Sequence, residues 1–273
     1  MNSVEIVAEL TTNHHGDRER LEHMIRLSAD AGADYVKLQK RDVETFYTQE
    51  ALAKPYDSPF GLTFRDYRHQ LELNAEDFVF VDRLCGELGI GWFASVLDRP
   101  SYEFMQEFNP GLIKLPSTIS EHIGFLEYVA ENCEDGVVIS TGMTGVSYES
   151  FILSAFGRAK KLYILQCNSA YPTPPDHCNV GVISHYRDLS LVDPRIVPGY
   201  SSHDIGSMGS MAAVAAGARM IEKHVKIGNT AWAHFDDVAL DLADGTFGAF
   251  VTDIRQAEVL CGSDAKVWVP GAE

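Results

Sequence analysis

The feature that most restricts the fold of this chain is a regular alternation of short apolar runs with helical stretches along its length. Runs rich in β-branched residues are typical of buried strands, and the stretches between them repeat apolar residues at helical spacing. The eight predicted strands are residues 4–10, 35–40, 91–96, 112–117, 136–142, 162–169, 196–202 and 220–227. The predicted helices cover about 18–32, 75–89, 98–108, 121–132, 146–158, 206–217 and 244–261, and a polar segment at about 180–193 fills a further gap.

Eight βα units in 273 residues predict an α/β fold, a closed (β/α)8 TIM barrel that forms a single domain over residues 1–273. A doubly wound open sheet is the alternative. It usually shows a glycine-rich turn after its first strand, and this chain has none there. The closed barrel is therefore favoured, and its catalytic face would lie at the carboxyl ends of the strands.

Two segments interrupt the alternation, and both follow predicted strand ends. Residues 42–73 are too long for an ordinary βα loop and are rich in aromatic residues, so we predict that this insert packs over the barrel mouth or against a second subunit. Residues 168–179 contain Tyr171 and three prolines, which predict a stiff extended segment. Both segments would lie at the functional face of the barrel.

Composition limits the partners and the compartment. The net charge of −17 disfavours nucleic acid and anionic membranes, so we expect neither as a partner. Five scattered cysteines without a C-x-x-C pair predict reduced thiols, and no run approaches the ~20 apolar residues of a membrane span. The N-terminal region lacks the pattern of a signal peptide. These observations predict a cytoplasmic protein, with a homodimer as the default assembly.

Two histidines stand at the ends of the last two predicted strands. If these strands are adjacent in a barrel, His203 and His224 project into the same mouth, where two neutral imidazoles can hold a divalent cation and leave positions open for water and substrate. The alternative for either ring is a histidine that only hydrogen-bonds a neighbouring ligand. An open metal site would indicate catalysis.

A series of ordered motifs then resembles the sialic acid synthase family, whose members condense phosphoenolpyruvate with an N-acylated amino sugar. The resemblance runs from about residue 4 to residue 262, over the catalytic barrel and without the family's C-terminal antifreeze-like domain. The insert is closer to animal-type members than to bacterial ones. The motifs are AE at 8–9, NHHGD at 13–17, AGAD at 31–34 with KLQK at 37–40, STGM at 140–143, QC at 166–167 with YP at 171–172, GYS at 199–201 with His203, and EKH at 222–224.

The resemblance implies a role for each polar residue at the strand ends. Lys37 and Lys114 would bind and orient phosphoenolpyruvate, and His203 and His224 would bind Mn²⁺ or Mg²⁺, which polarises the aldehyde oxygen of the acceptor. The serines implied to line the substrate site are Ser95, Ser117, Ser140, Ser169 and Ser201. The acceptor would resemble N-acetylmannosamine, with or without a 6-phosphate, and the product would be a nonulosonic acid.

The resemblance also implies that Gln39, Tyr171 and an aspartate after the eighth strand, Asp236, recognise the sugar. The spacing also allows Asp237 or neither aspartate, and Tyr171 could instead pack beside the proline segment.

This chain departs from the family at several points. Family members carry an acidic residue two positions after the serine of the fourth strand, where this chain has Ile119, with Glu121 two residues further on. We expect either that Ile119 forms an apolar wall in the acceptor site or that Glu121 replaces the missing acid. His15 would add a second imidazole, beside His14, at the mouth of the barrel. An active synthase is the main hypothesis, and the alternative is a weakened barrel that binds a sugar or sugar phosphate or serves as a scaffold.

Overall fold

The structure is a closed parallel barrel, which confirms the predicted fold class. A computed structural model describes residues 3–229, 237–263, 265–266, 268 and 271. Each barrel strand pairs in parallel with its chain neighbours, and β1 also pairs with β8, with Glu9 opposite His224, which closes the sheet. The strands are β1 Glu5–Thr11, β2 Tyr35–Lys40, β3 Gly91–Val96, β4 Leu112–Leu115, β5 Gly136–Ser140, β6 Lys161–Gln166, β7 Ile196–Ser202 and β8 Met220–Lys226.

A helix follows each barrel strand and covers the outside of the sheet. The helices are α1 Arg18–Asp30, α2 Ala75–Leu88, α3 Arg99–Gln106, α4 Ile123–Asn132, α5 Val146–Ala155, α6 Val182–Val192, α7 Met208–Ala216 and α8 Thr246–Cys261. Helix α6 occupies the stretch that the sequence left as a polar segment. Ile183 and Tyr186, three residues apart, are buried on one face, so a short apolar stripe was sufficient for a helix despite the polar composition.

Side-chain caps fix where several helices begin after their strands. Asp17 accepts hydrogen bonds from two backbone amides of α1, and Asp98 accepts one from the Ser101 amide of α3. Helix α2 begins with a capping box between Asn74 and Asp77. These caps fix the chain directly after the carboxyl ends of β1 and β3, which is where the polar residues of interest lie.

The barrel interior is apolar only near the amino-terminal ends of the strands. A cluster inside the barrel fills the amino-terminal end and consists of Val7, Phe93, Leu112, Val138, Tyr163, Leu165 and Met220. A larger core lies between the strands and the surrounding helices. The inward-facing positions nearer the carboxyl ends carry Lys37, Lys114 and Glu222. The barrel interior is therefore polar at the carboxyl ends of the strands and apolar at their amino-terminal ends.

The insert folds into short elements beside the barrel mouth. It contains the helices Val43–Phe46, Gln49–Leu52 and Phe64–Gln70, and an antiparallel pair of strands, Pro55–Ser58 and Gly61–Thr63. Phe60 contacts His15, with ring centroids 6.1 Å apart, and Gln70 donates a hydrogen bond to the His15 carbonyl at 3.3 Å. The insert therefore packs against the loop after β1.

Two observations concern the cysteines and the helices. All five cysteines are free, and four of them are buried. Among the described helices, none combines the length and apolarity needed to cross a membrane.

Close packing inside the barrel predicts that alanine substitutions at two glycines change the free energy of unfolding in opposite directions. A Cβ at Gly199 on β7 would lie 2.2 Å from Leu165 Cδ2 and 2.8 Å from the Met220 carbonyl oxygen, whereas a Cβ at Gly86 on α2 would meet no atom within 4 Å. We expect Gly199→Ala to lower the free energy of unfolding by about 1–3 kcal/mol through overpacking. We expect Gly86→Ala to raise it by about 0.5–1 kcal/mol. Urea denaturation would measure both, and an unaffected Gly199→Ala variant would contradict this packing.

Candidate active site

A cavity of about 330 Å³ opens at the carboxyl ends of the strands. It brings together the eleven described residues that the sequence assigned to a site, although they come from seven of the eight βα units. They are Lys37, Gln39, Ser95, Lys114, Ser117, Ser140, Ser169, Tyr171, Ser201, His203 and His224. Asp236 lies outside the described residues. The roles assigned to these side chains stay predictions, but their convergence is a structural fact.

A buried carboxylate joins the two lysines of the cavity. Glu222 Oε1 lies 2.9 Å from Lys37 Nζ, and Glu222 Oε2 lies 3.1 Å from Lys114 Nζ. Ser201 Oγ also donates a hydrogen bond to Glu222 Oε1, at 2.8 Å. Lys37 also pairs with Glu9 at 2.7 Å. Each of these charges is at least 92% buried, so the cluster depends on these pairings.

The electrostatic environment differs between the carboxylates of Glu222 and Glu9. Burial alone would raise the pKa of Glu222, but Lys114 and Lys37 outweigh it and hold that pKa well below its usual range. Burial raises the pKa of Glu9 to about 7, against the opposing effect of Lys37. Burial also lowers the pKa of Lys114, although Glu222 opposes the shift. Glu222 is therefore the fixed negative charge of the cavity, and Glu9 can gain or lose a proton near neutral pH.

The two histidines face each other across the cavity, with ring centroids 5.4 Å apart. His203 Nδ1 lies 2.5 Å from the Asn168 carbonyl oxygen, and because a carbonyl can only accept, Nδ1 carries the proton and Nε2 keeps a lone pair. Burial lowers the pKa of His203 to about 4, so the ring is neutral at pH 7. Tyr171 OH lies 3.1 Å from Nε2. His224 Nδ1 lies 2.9 Å from Thr11 Oγ1, and its Nε2 lies 3.4 Å from Glu9 Oε2.

This arrangement fits a divalent cation held by two imidazoles. A neutral His203 with its lone pair on Nε2 is the form that metals bind, and a carbonyl partner on Nδ1 is the usual support for such a ligand. Across the part of the chain that is described, no group of three His, Cys, Asp or Glu side chains is arranged to hold a metal. His203 and His224 would hold the cation, and water or substrate would complete its coordination.

Backbone packing fixes the serines around one side of the cavity. Ser117 Oγ accepts a hydrogen bond from the Gly142 amide at 2.9 Å and lies 3.1 Å from Cys167 Sγ. A Cβ at position 142 would come within 2.5 Å of Ser169 Oγ and 2.7 Å of Ser117 Oγ, so only glycine allows these hydroxyls to approach each other. The serines therefore form a compact group of donors beside Lys114.

Both expectations about the departure at Ile119 are wrong. Ile119 is fully buried in the core between the sheet and the helices and does not line the cavity, and Glu121 is exposed on the surface. The cause is a 3₁₀ turn over Ser117–Ile119, which directs Ser117 and Thr118 to the cavity and Ile119 away from it. His15 also lies outside the lining of the cavity, against the insert.

Comparison with known proteins decides the family. Residues 24–266 match the NeuB family. The chain belongs to this family. Human N-acetylneuraminate-9-phosphate synthase is 34% identical over 97% of this chain and 73% of its own length. The N,N'-diacetyllegionaminic acid synthase of Campylobacter jejuni is 26% identical over 97% of this chain and 80% of its own length. The sequence-based assignment to the sialic acid synthases, and to enzymes, is therefore confirmed.

A solved structure shares the fold. The N-acetylneuraminic acid synthetase of Leptospira borgpetersenii superposes with a TM-score of 0.82 at 24% identity, over 99% of this chain and 88% of that one. The barrel of this NeuB-family chain therefore has the same fold as an experimentally determined barrel.

Sequence reasoning missed three charged residues of the NeuB-family cavity. Glu9 and Glu222 stood within motifs but had no assigned role, and Arg41 was not considered. The strand periodicity could have found them, because residues two apart on a strand share one face. Arg41 follows Lys37 and Gln39 at this spacing, and Glu222 precedes His224 by two.

The bridge between the two lysines predicts a large effect of a small change. Glu222→Gln keeps the shape of the side chain but leaves the buried Lys114 ammonium without its carboxylate. We expect the free energy of unfolding in urea to fall by about 3–5 kcal/mol. Glu103→Gln, which breaks the exposed ion pair with Arg99, serves as the control and should cost less than about 1 kcal/mol. Equal effects of the two substitutions would contradict the role of Glu222.

Proposed function

We propose that this protein condenses phosphoenolpyruvate with an N-acyl amino sugar of the N-acetylmannosamine type and releases phosphate, to give a nonulosonic acid. The observation that carries the proposal is the convergence of Lys37, Lys114, His203 and His224 on one cavity. The name of the human relative states the product class of that enzyme, N-acetylneuraminate 9-phosphate.

Phosphoenolpyruvate would bind at the bottom of the cavity, where the cations and hydroxyls are concentrated. Its phosphate and carboxylate need several donors, and Lys37, Lys114 and the strand-end serines supply them. Charge-assisted hydrogen bonds of this kind contribute roughly 1.5–3 kcal/mol each. Because Glu222 already fixes both ammonium groups within 3.1 Å of its oxygens, the lysines are oriented before the anion arrives.

The acceptor would bind nearer the rim, between Gln39 and Tyr171. Gln39 Oε1 is buried without a hydrogen-bond partner among the described residues, so it can accept a hydrogen bond from a hydroxyl or amide of the sugar. A divalent cation on His203 and His224, Mn²⁺ or Mg²⁺, would supply Lewis-acid polarisation of the acceptor aldehyde. The aldehyde carbon would then lie close to C3 of the phosphoenolpyruvate held by the two lysines.

The chemistry follows from this placement. A bond forms between C3 of phosphoenolpyruvate and the aldehyde carbon, and the aldehyde oxygen becomes a hydroxyl. Water adds at C2, and phosphate leaves with cleavage of its C–O bond. Glu9 contacts Lys37 and His224 and has a pKa of about 7, so it is suited to hold or release a proton in this region.

Phosphate release tests the proposal directly. We expect purified protein with phosphoenolpyruvate and Mn²⁺ to release inorganic phosphate only when an acceptor is added, from a panel of N-acyl mannosamines and their 6-phosphates. No release with any acceptor, while phosphoenolpyruvate still binds in calorimetry, would favour the alternative of a sugar-binding or scaffold barrel.

The two histidines predict a loss of metal binding together with activity. We expect His203→Ala or His224→Ala to lower phosphate release by at least ~100-fold and to weaken Mn²⁺ binding measured by electron paramagnetic resonance. Folding should be little affected, because an open site contributes little to stability. His185→Ala, at an exposed histidine on α6 paired with Glu149, is the control and should change neither property. Normal Mn²⁺ binding in His203→Ala would overturn the assignment of this ligand.

A further inference from the structure

Lys223 is a buried lysine that the proposed function does not use. It stands between Glu222 and His224 on β8, which both line the cavity. Because successive side chains of a strand point to opposite faces, Lys223 points out of the barrel. Its side chain has no exposed surface, and its Nζ lies 6.0 Å from the centroid of the Phe250 ring on α8. A buried ammonium group is costly unless it is hydrogen-bonded, so the partners of Lys223 indicate its role.

Lys223 contacts the two residues on either side of His203. Its Nζ donates a hydrogen bond to Ser202 Oγ at 3.0 Å and another to the Asp204 carbonyl oxygen. The paired register of β7 with β8 runs to Ser202 opposite Lys223, one residue before His203. The side chain of Lys223 therefore extends the connection between the two strands beyond their last paired residues and reaches both sides of His203.

The carboxylate of Asp204 ties the same stretch of chain to the helix that follows β7. Asp204 Oδ1 accepts hydrogen bonds from Ser202 Oγ at 2.7 Å and from Tyr200 OH at 2.9 Å. A Cβ at Gly209, on α7, would lie 2.4 Å from Asp204 Oδ2, so the carboxylate packs directly against the backbone of this helix. Four residues, each at least 95% buried, form this outer cluster: Tyr200, Ser202, Asp204 and Lys223.

The inner side of His203 is held by the segment after β6. Its Nδ1 lies 2.5 Å from the Asn168 carbonyl oxygen, and the Thr173 amide donates a hydrogen bond to the His203 carbonyl oxygen at 2.8 Å. These contacts orient the ring, but they do not connect it to the strand that carries His224. The outer cluster supplies that connection, since Lys223 directly precedes His224 in the chain.

We propose that Lys223 is a positioning residue that sets the separation of the two metal-binding imidazoles. This inference rests on the proposed function, because it needs a divalent cation on His203 and His224. Lys223 lies outside the lining of the cavity, so it acts through the backbone on either side of His203. Metal ligands must be held within ~0.5 Å of their productive geometry, and the residues that orient them commonly account for about 10- to 100-fold in metal affinity.

Metal titrations of two variants test the role of Lys223. Lys223→Met keeps most of the side-chain volume and removes both hydrogen bonds, whereas Ser202→Ala removes one acceptor and leaves the bond to the Asp204 carbonyl. With Mn²⁺ binding followed by electron paramagnetic resonance, we expect the Kd to rise about 10- to 100-fold in Lys223→Met and roughly 2- to 10-fold in Ser202→Ala. Phosphoenolpyruvate binding in metal-free calorimetry should stay unchanged, because Lys37 and Lys114 lie on β2 and β4.

Leu126→Ala is the control for a general loss of stability. Leu126 is buried on α4, and the strand order places that helix across the barrel from β8. Its truncation should lower the midpoint of urea denaturation without changing the Kd for Mn²⁺. If Lys223→Met behaves in the same way, Lys223 has a structural role alone and the inference is wrong. If Lys223→Met does not fold, an unchanged Kd in Ser202→Ala would overturn the inference instead.

Failure of this inference is distinguishable from failure of the proposed function, because Mn²⁺ binding needs no turnover. If the parent binds Mn²⁺ more tightly than His203→Ala but releases no phosphate with any acceptor, the synthase proposal fails, while weaker Mn²⁺ binding by Lys223→Met still supports the positioning role. If the parent and His203→Ala bind Mn²⁺ equally, or neither binds it, the imidazoles hold no cation for Lys223 to position, and the inference is wrong.

Discussion

The carboxylate of Glu222 is the constraint on which the rest of the site depends. Two ammonium groups cannot stay charged and buried in one chamber unless a fixed negative charge lies between them. Glu222 lies on β8, while Lys37 and Lys114 come from β2 and β4, so only a closed sheet brings the three together. The charged cluster at the barrel mouth therefore depends on closure of the sheet. The neighbouring Glu9 shares Lys37 with Glu222, and burial raises the pKa of Glu9 to about 7.

Much of the fold could be predicted from the sequence because a parallel barrel repeats one simple pattern. Buried strands read as β-branched runs, and each predicted strand overlaps an observed one. The polar residues at their carboxyl ends had to converge once the sheet closed, which is why eleven assigned residues line one cavity. Helix α6 was not predicted, because its apolar stripe is short and its composition is polar.

Details of the site that depend on local turns could not be predicted. The resemblance predicted an acidic residue of the site at the position of Ile119, but a single 3₁₀ turn directs the Ile119 side chain into the core, and Thr118 lines the cavity instead. Sequence spacing gives the position of a residue along a loop, not the direction of its side chain. The pairing of Glu9 with His224 across β1 and β8 was equally hidden, since it joins residues from the two ends of the chain.

The insert shows how a loop outside the cavity can orient a residue that lines it. None of its residues, all of which are described, lines the cavity, yet Phe46, Tyr47 and Arg68 determine the position and the electrostatic environment of Arg41. Aromatic rings can surround a guanidinium without neutralising it, whereas a carboxylate would remove its attraction for an anion. The orientation of Arg41, which lines the cavity directly after β2, therefore depends on the insert that packs around its guanidinium.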